Sequence, residues 1–166
     1  MICCSILHTA KLHSQHMPET KEKLYRLCEE YIQKRETEIK KIISDARDAA
    51  NNETKSSAGD KYETGREVMQ QEIDLNLTRL NEINKLKVTM ERIAPDCKCE
   101  TAQPGALVRT SNGNYYIAIS AGQLKIDGTT YYAISAASPI GAEMIGKRSG
   151  DSFTLNRKQI TIKSIS

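Results

Sequence analysis

The sequence predicts an α+β protein: an N-terminal antiparallel helical hairpin of coiled-coil type, followed by a small antiparallel β domain with one short helix. Three observations predict it. Apolar residues recur at steps of three and four across residues 20–50 and again across 65–93, with a polar loop between the two runs. A stretch bounded by Pro95 and Pro104 then ends the helical pattern. Beyond it come short strand-like runs separated by Asn112-Gly113, Asp127-Gly128 and Gly150-Asp151, pairs that favour tight turns.

The first helix draws its stripe from Leu24, Cys28, Tyr31, Ile39, Ile42, Ala46 and Ala49, with a polar interruption at Arg35. The second draws on Met69, Ile73, Leu77, Leu80, Ile83, Leu86, Met90 and Ile93, and no proline breaks either run. Two amphipathic helices of similar length joined by a polar loop cover each other's stripes by folding back. About 30 residues per helix give a hairpin roughly 45 Å long. From Ile39, Ile42 and Ile43 the apolar residues shrink to Ala46, Ala49 and Ala50, so the tip is slender. The expected boundaries are 17–94 for the hairpin, 95–105 for a linker and 106–166 for the β domain.

In the second half, Ala106 to Thr110 and Tyr115 to Ser120 flank Asn112-Gly113, and Asp127-Gly128 leads into Thr129 to Ser135. Ser138 followed by Pro139 reads as an N-cap and first helical residue, with Gly146 closing a short helix. Ser152 to Leu155 and Gln159 to Ser164 form the last hairpin.

Composition narrows the function. The net charge is only +3, with both signs interspersed, which argues against a clustered basic face for direct nucleic-acid binding. No apolar run approaches the roughly 18 residues needed to span a membrane. Met1 to Leu12 show neither a charged start nor a small-residue cleavage site, so the cytoplasm is the expected location. The five cysteines, Cys3, Cys4, Cys28, Cys97 and Cys99, form neither an even disulfide framework nor C-x-x-C knuckles. Cys3, Cys4, His8, His13 and His16 crowd the start but fit no zinc spacing, and residues 1–16 read as a disordered extension or an upstream mis-start before Met17. No stably bound cofactor is expected.

The loop from Glu53 to Gly65 carries the candidate site. At a helix start, Asp60 and Glu63 lie one turn apart on one face, with Glu67 a turn further on, so the three carboxylates converge on a hard cation such as Mg²⁺. The same acids also complement the positive end of a helix without any ligand. Both readings stand on spacing alone.

Ser138-Pro139-Ile140-Gly141-Ala142-Glu143-Met144-Ile145-Gly146-Lys147, followed by Gly150-Asp151 and a closing strand, resembles the C-terminal domain of the Gre transcript-cleavage factors, which has an FKBP-like fold. The helical hairpin with Gly59-Asp60-x-x-Glu63 at its tip resembles the same family, and the two matches occur in the family's order over most of residues 20–166. The resemblance implies a monomeric factor that binds bacterial RNA polymerase, inserts its hairpin into the secondary channel and meets RNA only through the polymerase. Asp60 and Glu63, with Glu67 as a further candidate, would then help hold a Mg²⁺ shared with the polymerase active centre and stimulate cleavage of backtracked transcripts. Contacts with the polymerase are implied for Lys55, Lys61 and Arg66 near the tip, and for Ser138, Pro139, Ile140, Gly141 and Ile145 in the β domain. The chain is then an accessory factor, not an enzyme in its own right.

Lys61-Tyr62 stand between the acids and Thr64-Gly65-Arg66 follow them, where the cleavage factors carry a different run. A regulator that occupies the channel without cleavage is therefore one alternative, and a structural coiled-coil adaptor a second. An FKBP-like prolyl isomerase, with a pocket built from Tyr115, Tyr116, Tyr131, Tyr132 and Phe153, is the weakest of the three, because the tyrosine alternation is explained by strand packing. Acyl transfer through a cysteine lacks a histidine partner near any cysteine outside the extension.

A chain starting at Met17 is expected to match the full chain in unfolding free energy to within about 0.5 kcal/mol, since no packed group is removed. A stoichiometric zinc ion bound by the full chain and lost on truncation would refute this.

Overall fold

The computed structural model describes the backbone of residues 5–53 and 59–166, and the side chains of residues 19–51 and 65–166. Two helices, α1 (Ser5–Glu53) and α2 (Gly59–Glu91), precede the strands β1 (Leu107–Thr110), β2 (Asn114–Ala118), β3 (Gly122–Ile126) and β4 (Thr129–Ser135). The short helix α3 (Pro139–Met144) and the strands β5 (Ser152–Leu155) and β6 (Lys158–Ile165) complete the chain. The protein is thus α+β. The backbone of α1 begins at Ser5, so it runs through most of the expected extension 1–16, whose side chains lie outside the described residues. No helix among the described residues is long and apolar enough to cross a membrane.

The chain divides into two compact units, Glu30–Val88 and the remainder. In Glu30–Val88, Ile43 and Ala46 of α1 are buried with Ile73 of α2, with Ile39 and Leu80 packed alongside, and Lys87 pairs with Glu36. Partners that rise in number along α1 fall along α2, which is the antiparallel arrangement expected from the two stripes. The stripe itself is narrower than expected. Ile42 and Leu77 are 37% and 39% exposed, whereas Ile32, Ile43 and Asn76 are buried. The steps 39–43–46 and 73–76–80–83 alternate four and three without deviation, the spacing that keeps a seam facing its neighbour, and Ile42 and Leu77 sit one residue off it. Asn76 takes the place that apolarity assigns to Leu77. Its amide donates to the Glu72 carbonyl and its Oδ1 accepts from Arg79, so the buried polar group is satisfied.

In the second unit the strands form one sheet in the order β3-β4-β2-β1-β6-β5. The sheet is mixed, which corrects the expectation of a wholly antiparallel one: β2 runs parallel to β4, with Tyr115 opposite Tyr132 and Ile117 opposite Ile134. The cause is β3. It pairs antiparallel with β4 on the outer edge through the Asp127-Gly128 turn, leaving the inner edge of β4 to a strand of the same direction. β3 is short and mostly exposed, and its alternation of Gln123, Leu124, Lys125 and Ile126 covers only four residues, so it is a weak strand signal in the sequence. Asp127 and Gly128 both have positive φ (48° and 78°), as a two-residue type I′ hairpin requires. Asn156 and Arg157 (51° and 65°) do the same between β5 and β6 without a glycine to advertise it.

One face of the sheet buries Val108, Tyr115, Ile117, Phe153, Ile160 and Ile162 with Met144 of α3 and with Cys99, Ala102 and Ala106 from the preceding segment. On alternate positions Leu107 and Tyr116 are fully buried. The segment 95–105, expected as a linker, is tied down: Ala102 donates to the Lys147 carbonyl and accepts from Gly146 N, and Thr101 bridges Arg148. Lys21 of α1, only 2% exposed, donates to the Cys97 carbonyl. Ser138 caps α3 as expected, its hydroxyl accepting from Gly141 N at 3.1 Å and donating to the Ser135 carbonyl at 2.7 Å.

A Cβ on Gly141 would lie 2.2 Å from the Ser135 carbonyl oxygen and 2.9 Å from Ser138 Oγ. Gly141→Ala is therefore expected to destabilise the protein by about 3 kcal/mol in urea unfolding, because backbone on both sides must move. Tyr116→Phe is expected to act in the opposite direction by about 1 kcal/mol, since the buried Tyr116 hydroxyl has no hydrogen-bond partner among the described residues. A loss of stability in the second variant would show a partner for that hydroxyl.

Candidate functional site at the end of the helical pair

α2 begins at Gly59, so Asp60 and Glu63 fall in its opening residues, three apart, with Glu67 four further on. The side chains of Asp60 and Glu63, and those of Lys55 and Lys61, lie outside the described residues. Glu67 and Arg66 are described, and both are exposed. Among the described residues no group of three or more His, Cys, Asp or Glu side chains is placed to hold a metal.

Beside this helix start lies a cavity of about 400 Å³, lined by Arg47, Ala50 and Asn51 of α1 and by Arg66, Gln70, Ile73 and Leu77 of α2. Ala50 of α1 lines it with a short side chain that leaves space opposite Ile73 and Leu77. Two guanidinium groups therefore border one concave surface with an apolar floor. Arginine binds phosphate or carboxylate through paired N–H donors, so this surface suits an anionic partner. Arg66 was the basic residue legible in the sequence; Arg47 was not, because a single arginine between Ala46 and Asp48 looks like any solvated helix position.

Further from the tip, Glu36 joins the two helices. It pairs with Lys40 one turn on and with Lys87 of α2, and its side chain is only 16% exposed. The hydrogen bond from Lys40, followed by that from Lys87, holds its carboxyl below the usual carboxylate range.

The expected contact residues of the β-bearing unit separate into two kinds. Ser138 and Gly141 are occupied within α3, and Ile140 packs against the core. Pro139 and Ile145 are exposed, Ile145 to 41%. Tyr132 is likewise exposed to 38%, its ring 5.7 Å from that of Tyr115.

No protein-family model, no curated protein and no solved structure matches the chain.

The depressed carboxyl of Glu36 adds stability that is present above the unfolded glutamate pKa of about 4.3 and is lost as pH falls through the lower folded value. The helical pair is expected to loosen over that acid window, seen as a fall in urea midpoint below about pH 4. In Glu36→Gln this part of the pH dependence should be missing, and an unchanged profile would show that the bridge contributes nothing.

Proposed function

We propose that this protein is a Gre-like factor that docks on bacterial RNA polymerase and presents the start of α2 to the polymerase active centre through the secondary channel. The observation that carries the reading is the position of the α2 start: Asp60 and Glu63 occupy the opening turn of a helix that is paired antiparallel with α1. The donor set fits a hard cation, because two carboxylates within one turn offer oxygen ligands while leaving most of the shell to water and phosphate. A Mg²⁺ held jointly by Asp60, Glu63 and the polymerase would supply Lewis-acid activation of the water that attacks the transcript. The chain's own part is positioning. The rigid helical pair carries the carboxylates, and the polymerase performs the reaction.

Arg47 and Arg66 support the same reading, since they meet the anionic groups that line a nucleic-acid-processing centre. The β-bearing unit takes the role of the FKBP-like docking domain, with Pro139 and Ile145 as its exposed contact residues beside the capped α3. The factor works as a cytoplasmic monomer and touches RNA only through the polymerase. Lys61-Tyr62 between the acids favour one second reading, a regulator that fills the channel without promoting cleavage.

With a bacterial RNA polymerase stalled on a backtracked transcript, the wild-type protein is expected to stimulate 3′ cleavage. Asp60→Ala combined with Glu63→Ala should abolish that stimulation while leaving polymerase affinity within about threefold, because the acids act on charge that develops in the reaction and not on docking. Binding without cleavage at raised Mg²⁺ would replace this reading with the regulator, and absence of binding would end both.

A further inference from the structure

Cys97 and Cys99 lie two residues apart in the segment between α2 and β1, and their sulfurs approach to 3.0 Å. Cys99 is 5% exposed, while Cys97 is partly open to solvent. The ammonium of Lys21, itself 2% exposed, stands 3.9 Å from Cys99 Sγ and donates to the Cys97 carbonyl. Gln103 Nε2 approaches Cys97 Sγ at 3.7 Å. A buried ammonium is costly unless an anion or strong acceptors face it; the Cys97 carbonyl is one such acceptor, and an anion formed on the neighbouring sulfur during reaction is favoured by the same charge.

We propose that Cys97 and Cys99, with Lys21 as their positioning cation, form a thiol–disulfide exchange site that reacts with low-molecular-weight disulfides. The site is independent of polymerase binding. Cys97, the more accessible sulfur, gives its proton to solvent and attacks one sulfur of the incoming disulfide; a mixed disulfide forms at Cys97 and one small thiolate leaves, taking the proton of Cys99. The Cys99 thiolate, stabilised by Lys21, then attacks Cys97 Sγ, closing the Cys97–Cys99 bond and expelling the second small thiolate. Two electrons pass from the pair to the small disulfide, which ends as two thiol equivalents. A disulfide closed over the single residue Lys98 spans a minimal loop, the kind that is reduced again readily.

The surroundings favour this pair over the remaining described thiol. Burial, followed by the charge of Glu29, pushes Cys28 up to about 12, so it stays a thiol. Burial also raises Tyr116, which remains neutral near Cys99. Cys97 is raised chiefly by its hydrogen bond with Cys99, with Lys21 acting in the opposite direction. Lys98 and Glu100 flank the pair in the chain but are exposed.

The test uses the full chain in glutathione buffers from reducing to oxidising, with acid quenching, alkylation and peptide mass mapping. A Cys97–Cys99 linked peptide should appear on oxidation and vanish with dithiothreitol. Cys99→Ser should accumulate glutathione on Cys97, whereas Cys97→Ser should form no intrachain link and react at least about tenfold more slowly, as a buried sulfur does. Lys21→Met should slow exchange about threefold, the net of a tenfold smaller thiolate fraction and its higher nucleophilicity, and move the pH–rate profile up by about one unit. Lys21→Arg should restore both. The proposal is overturned if both cysteines alkylate independently at every ratio, or if Cys97 or Cys99 links instead to Cys3, Cys4, Cys28 or a second chain. An unshifted pH–rate profile in folded Lys21→Met would remove Lys21 from the site, and if that variant unfolds, the serine variants decide the proposal.

Discussion

Burial of β2 on both faces is the constraint around which the β-bearing unit is arranged. Tyr115, Tyr116, Ile117 and Ala118 are all buried, and their side chains alternate between opposite faces. Tyr115 and Ile117 join the face closed by α3 through Met144. Tyr116 is near Tyr25 and Cys28 of α1, close enough for their charges to act on it. A strand covered on both faces suits a parallel neighbour, which is the relation β2 has to β4. The same requirement explains why 95–105 is held in place, because Cys99 and Ala102 complete the layer that covers Val108 and Ile117. α3 depends on it as well: the tight approach of Gly141 to the Ser135 carbonyl places Met144 over the sheet.

The helical pair of Glu30–Val88 is built on a different principle. Its core is thin, with Ile43, Ala46 and Ile73 at its centre, and a buried Asn76 stands where an aliphatic residue would add more burial. Burial of apolar area contributes about 25 cal/mol per Å², so replacing Leu by Ala or Asn in the seam gives up stability that a larger side chain would supply. In return Ala46 packs directly against Ile73, and a polar seam residue disfavours slipped pairings. Ala50 also lines the concave surface bordered by Arg47 and Arg66.

The three described cysteines show how placement sets the chemistry of one side chain. Cys28 is fully buried and its thiol is held neutral. Cys97 and Cys99 share a hydrogen bond and a buried ammonium, and the ammonium comes from α1, remote in sequence from both. Desolvation dominates in the first case and specific partners in the second.

Much of the architecture is local and was therefore legible in the residues: the two helical runs, the turns at Asn112-Gly113 and Asp127-Gly128, the Ser138 cap with Pro139, and the placement of Asp60 and Glu63 at a helix start. Periodicity and turn chemistry act over a few residues, so they need no knowledge of the rest of the chain. Strand order was not legible. Pairing of β2 with β4 depends on a short, mostly exposed edge strand, Gly122 to Ile126, whose own residues say nothing of which strand it borders. The exact seam of the helical pair was legible only in part, because Ile42 and Ile43, or Asn76 and Leu77, are adjacent in sequence, and only the opposing helix selects one of each pair. Arg47 beside Arg66, and Lys21 beside Cys99, are juxtapositions of residues far apart in the chain. The sequence by itself determined the two helical runs, the capped short helix and most of the strands with their turns, but neither the start of α1 at Ser5 nor the strand β3. The tertiary structure decided which edges and faces meet, because that choice rests on burial shared between segments and not on any one segment's own preference.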